Sequence, residues 1–188
     1  MKGKKPLLIL FILLVVGTLI FIGASKSQNK VEIRAAVGFT APDFTLRDLK
    51  GNNVKLSSFR GKAVFINFWT TWCGFCKMEM PYIEKVYEKR KDEIIILTIN
   101  WTSTEKEPGK QPADIVGDFI RLTGYTFPVL LDEEGKVAEG YLVRGIPVNF
   151  FIDKNGIITA KHIGAMTEDM IKDYIDDAIK GYKGGNGD

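Results

Sequence analysis

The chain of 188 residues contains two cysteines, spaced Cys73-Gly74-Phe75-Cys76. Two thiols at this spacing can form one reversible disulfide, and they are too few for a disulfide framework or a four-cysteine zinc site. An almost wholly apolar run, Ala63-Val64-Phe65-Ile66-Asn67-Phe68-Trp69, leads into the pair, and Ile83, Val86 and Tyr87 follow it in a helical pattern among charges. Where a buried strand hands over to a helix N-terminus, unpaired backbone N–H groups and the helix dipole favour a thiolate. In comparable motifs a cysteine pKa falls from about 8.5 into the range ~3.5–7.5. The chemistry expected is thiol–disulfide exchange: Cys73 attacks a substrate disulfide, and Cys76, on the same helical face, resolves the intermediate. The plainer alternative is a pair of buried structural thiols.

The rest of the chain must position that pair. Hydrophobic residues make up 45% and charged residues 26%, and the net charge of +3 is spread among interleaved acids and bases. This gives no nucleic-acid footprint. At the start, Lys2, Lys4 and Lys5 precede an uncharged run from Leu7 to Ala24. Helical, that run would span about 27 Å, against ~30 Å for a hydrocarbon core. The lysines would stay on the cytoplasmic side, so the expectation is a single-pass anchor in the bilayer through residues 7–24, with the catalytic domain outside the cytoplasm. A cleaved signal peptide is the alternative, since Gly23-Ala24-Ser25 offers small residues. The divisions are 1–25 anchor or signal peptide, 26–36 tether, 37–180 folded domain and 181–188 flexible tail.

Within the domain, Phe44-Thr45-Leu46 and Val54-Lys55-Leu56 alternate around a turn, a hairpin signal. Residues 63–69 and 93–100 read as continuous apolar strands flanking a helix over 74–91, which makes a β-α-β unit with parallel strands. Residues 101–112 read as a polar surface loop, 113–123 as a helix, 127–132 as a short strand and 136–141 as a short helix. Strands 148–152 and 157–162 flank the turn Asp153-Lys154-Asn155-Gly156, and Thr167 caps a last amphipathic helix. This is an α/β sandwich around a mixed central sheet flanked by helices.

Trp72-Cys73-Gly74-Phe75-Cys76-Lys77 resembles the thioredoxin active site, and Ile146-Pro147 matches the position of that fold's cis-proline. More closely, Ala41-Pro42-Asp43-Phe44, Ser57-Ser58-Phe59-Arg60-Gly61-Lys62 and Asn67-Phe68-Trp69 are similar to the membrane-tethered ResA/TlpA-like thiol-disulfide oxidoreductases. The resemblance covers roughly residues 37–180. It implies a thioredoxin-like fold with an N-terminal β-hairpin extension and N-terminal transmembrane helix, and no cofactor. It also implies disulfide-bearing protein substrates, apocytochrome c among them, and recharging by a membrane-embedded thiol electron donor. Substrate would meet Trp72, Gly74, Phe75, Ile146 and Pro147.

Three residues depart from the thioredoxin pattern: Asn67 where thioredoxin has a buried aspartate, Gly74-Phe75 between the cysteines, and Val148 after the proline. They leave the redox potential open, and with it the choice between reductase and oxidant. In ResA-like proteins an acid at the position of Glu79 lies beside the dithiol, so Glu79 is a candidate proton relay; a solvated surface glutamate is its alternative. Two rival activities remain. One is copper binding by Cys73, Cys76 and His162. The other is a thiol peroxidase, because Thr70 lies three residues before Cys73 as in peroxiredoxins, although Ile66 stands where those carry proline.

Overall fold

The computed structural model describes residues 32–184. The expected anchor or signal segment and residues 185–188 of the tail lie outside the described residues, and among those described no helix is long and apolar enough to cross a membrane. Residues assigned to the tether already join the fold: Ile33 bridges Thr40, the Arg34 N–H donates to the Thr40 carbonyl at 3.0 Å, and Ala35 is buried.

The strands are β1 (Thr45–Asp48), β2 (Asn53–Lys55), β3 (Ala63–Trp69), β4 (Ile94–Asn100), β5 (Val129–Leu131), β6 (Val148–Ile152) and β7 (Ile158–Ile163). The helices are α1 (Gly74–Arg90), α2 (Pro112–Thr123), α3 (Lys136–Gly140) and α4 (Glu168–Lys180). The strands form one sheet of seven in the order β2-β1-β5-β4-β3-β6-β7. β3 runs parallel to β4, and β4 to β5, as a crossover through α1 and then α2 requires. β6 and β7 return antiparallel beside β3, and the β1–β2 hairpin extends the opposite edge by pairing with β5.

β3 lies inside the sheet between β4 and β6, and every one of its seven residues is buried. Its alternation builds two cores. Phe65 and Trp69 face α1, α2 and α4 with Ile83, Val86, Val116, Ile171 and Ile175. Val64, Ile66 and Phe68 face Leu56, Ala138 and Tyr141 on the other side. Phe65 stacks on Phe151 of β6 with ring centroids 4.6 Å apart, which locks the β3–β6 register that the site depends on.

Candidate active site

β3 ends at Trp69, whose carbonyl accepts the Trp101 N–H at 2.9 Å, so the chain leaves the sheet at a fixed point beside β4. Cys73 then occupies the N-cap of α1 in extended conformation, and its Sγ accepts the Cys76 backbone N–H at 3.1 Å. Sulfur thus fills the place an aspartate or serine oxygen takes in ordinary caps. No acidic residue lies in the first turn of α1 to oppose a thiolate there.

Cys73 and Cys76 are joined by a disulfide with Cα atoms 5.3 Å apart. Cys73 retains 6% exposure against 1% for Cys76, so attack from solvent meets Cys73 first. Its Sγ lies 3.7 Å from the Ile146 carbonyl, and the Ile146–Pro147 peptide bond is cis. The Ile146 carbonyl thus brings the Ile146–Pro147 pair beside the dithiol. Trp72, Phe75 and Met78, which flank the cysteines along the chain, are 58%, 66% and 64% exposed and make an apolar rim open to solvent, and Gly74 between them is exposed. Trp69, by contrast, is a core residue.

Glu79 is 1% exposed, so the solvated-surface alternative fails. It falls on the inward stripe of α1 with Cys76, Met80, Ile83 and Val86, a 3–4 residue spacing that the sequence already displays. Its carboxylate meets two amides. Asn149 Nδ2 donates to Oε1 at 2.9 Å, and Asn67 Nδ2 lies 3.5 Å from Oε2. Burial pushes the Glu79 carboxyl up to about 8, against hydrogen bonds from Asn149 and the Met166 backbone that favour the charged form. An acid poised near neutrality thus stands one turn from Cys76, supplied by α1 instead of by the β3 position that Asn67 fills.

Glu105 was hidden in what reads as a polar surface loop. It is buried, and its carboxylate accepts the Thr71 N–H at 2.7 Å, the Thr71 hydroxyl at 2.5 Å and Asn100 Nδ2 at 2.8 Å. Glu105 therefore ties the loop carrying Trp72 and Cys73 to the end of β4. Its sequence signal was weak, since one acid among Lys106, Glu107 and Lys110 looks like surface.

The residues of the copper reading do not assemble among the described residues. His162 on β7 packs at a tilt against Tyr174 with centroids 5.9 Å apart, and no group of three potential metal-binding side chains comes together among the described residues. Thr70 is buried with an unpartnered hydroxyl, while Ile66, in the place of the peroxiredoxin proline, faces the opposite core.

A redox-active Cys-x-x-Cys pair at a strand-to-helix junction, faced by a cis-proline on a mixed sheet, defines a thioredoxin-fold thiol-disulfide oxidoreductase. The chain belongs to the AhpC/TSA family, which matches residues 37–161. It is similar to the thiol-disulfide oxidoreductase ResA of Geobacillus kaustophilus (strain HTA426), with 37% identity over 173 residues that cover 92% of both chains. The thioredoxin-like protein YneN of Bacillus subtilis (strain 168) is 34% identical over 80% of this chain and 85% of its own. Among solved structures, a putative thiol:disulfide interchange protein DsbE from Chlorobium tepidum superposes with a TM-score of 0.66 at 29% identity, covering 76% of this chain and 97% of that one. StoA from Bacillus subtilis gives 0.62 at 28% identity, covering 71% and 96%.

Proposed function

We propose that this protein is a membrane-anchored, extracytoplasmic reductase of protein disulfides, with Cys73 as nucleophile and Cys76 as resolving thiol. The observation that carries the assignment of roles is the Cys73 sulfur at the α1 N-cap, receiving the Cys76 N–H and facing Ile146. In the reduced protein, the Cys73 thiolate attacks one sulfur of a client disulfide. A mixed disulfide forms and the client's other sulfur leaves as a thiolate, which takes a proton. Cys76, deprotonated, then attacks Cys73 Sγ; the client's second thiolate leaves, and the Cys73–Cys76 disulfide remains. Two electrons pass to the client. Glu79, one turn from Cys76, exchanges the proton that Cys76 must lose. The backbone at Ile146 and the rim of Trp72, Gly74 and Phe75 hold the client strand.

The reductase direction and a client class that includes apocytochrome c are supported by the ResA likeness, and a membrane-embedded thiol donor would reduce the disulfide again. The location is supported by the uncharged run over residues 7–24 behind three lysines. The reduction potential of the Cys73–Cys76 pair tests the direction. A low value is expected, and one near ~−120 mV, that of a strong oxidant, would reverse it. Alkylation of the reduced protein should label Cys73 before Cys76, and Glu79→Gln should change the pH dependence of that labelling.

A further inference from the structure

Glu79 does not sit alone in the apolar layer between the sheet and α1. Asn67 of β3 and Asn149 of β6 are cross-strand partners in register, and both are buried. By alternation with Phe65 and Phe151 they point at α1, where an apolar pair would ordinarily sit. Two amides inside a core carry a desolvation cost that hydrogen bonds must offset. Theirs form a directed chain. Asn67 Nδ2 donates to Asn149 Oδ1 at 2.8 Å, which turns Asn149 Nδ2 toward Glu79 Oε1 at 2.9 Å. The same Nδ2 lies 3.4 Å from the Gly164 carbonyl, and the Gly164 N–H donates to the Pro147 carbonyl at 2.9 Å.

We propose that Asn149 is the positioning residue for Glu79, holding its carboxyl against β3 and β6 one helical turn from Cys76 and favouring the ionised form, with Asn67 fixing which way the Asn149 amide faces. Other groups near Glu79 cannot do this. On α1 the neighbours are the disulfide and apolar side chains, and β3 contributes only Asn67. β7 places His162 behind Asn149 as its cross-strand partner, and from α4 Tyr174 packs on His162 and Phe151. After β7 the Met166 backbone supplies a further hydrogen bond, and no charged side chain contributes to the Glu79 ionisation. Asn149 is thus the one side chain that donates to Glu79 at short range. Its second contact gives it a path to Pro147: a client strand that shifts Pro147 pulls on Gly164 and so on the amide.

This inference rests on the reading of Glu79 as proton relay only for its consequence in turnover. Glu79 ionisation can be followed in the oxidised full-length protein, where the cysteines do not titrate, by the infrared band of its protonated carboxyl, assigned through its loss in Glu79→Gln. In Asn149→Leu the midpoint should rise by about one to two pH units, the equivalent of one hydrogen bond to a charged group. Asn149→Ala, which removes the donor and adds no charge, should also raise it, and Asn67→Ala, which frees the amide to rotate, should raise it less. A midpoint unchanged in both Asn149 variants overturns the proposal. If these shifts appear while Glu79→Gln leaves the alkylation profile untouched, the relay falls and the positioning role stands.

Discussion

At the scale of single residues, a buried acid stands one turn from the dithiol, and the fold disfavours its ionised form. Glu79 is raised by burial from 4.5 to about 8. Between those values the unfolded chain has released the proton and the folded protein still holds it, so stability falls as pH rises. Below that window both states are protonated; above it both are ionised and the loss is complete. The unfolding midpoint of the oxidised protein should therefore decline across this interval. Glu79→Gln should remove that part of the decline, by an amount on the order of a few kcal/mol. Denaturant titrations at several pH values would show it, and a slope identical in the two proteins would contradict the assignment. The same substitution tests the relay through alkylation, because a buried acid with no part in proton exchange at Cys76 would leave the profile of the thiols unmoved.

At the scale of elements, the loop between β3 and α1 is held by a carboxylate from the far side of β4. Glu105→Ala would leave the Thr71 N–H, the Thr71 hydroxyl and the Asn100 amide without their acceptor in a buried setting. The expected loss is about 3 kcal/mol or more, read as a lowered unfolding midpoint. Glu105→Gln, which keeps the shape and one acceptor, should lose less. Next to Met166, Thr167 caps α4 through its hydroxyl, which accepts the Met170 N–H. Thr167→Ala should cost about 1 kcal/mol in the same assay.

At the scale of the whole molecule, the fold turns apolar side chains outward where the redox pair opens to solvent. Single exposed apolar side chains on a surface need no explanation, but Trp72, Phe75 and Met78 fall within two residues of the reactive cysteines along the chain. Phe75→Ser should slow the reduction of a protein disulfide roughly tenfold by removing an aromatic anchor. Turnover of a small disulfide that does not reach the rim should stay near wild type. Equal loss on both substrates would place Phe75 in the chemistry of the dithiol and not in client recognition.

The sequence by itself determined the elements and the reaction class. Continuous apolar runs marked β3 and β4, helical spacing marked α1 and α4, and turn residues marked both hairpins, because each is a pattern within one segment. The Cys73–Cys76 spacing is equally local. Glu79 was half legible: its place on the stripe of Cys76, Ile83 and Val86 pointed inward, while its charge argued for the surface. Only the tertiary structure decided between these, since an acid can be buried when amides from other strands meet it. Asn67, Asn149 and Glu105 lie 12, 70 and 34 positions from the groups they bind, Glu79 for the two amides and Thr71 for Glu105. Such contacts come from strand register and helix packing, which bring distant segments together and leave no spacing in the chain to read.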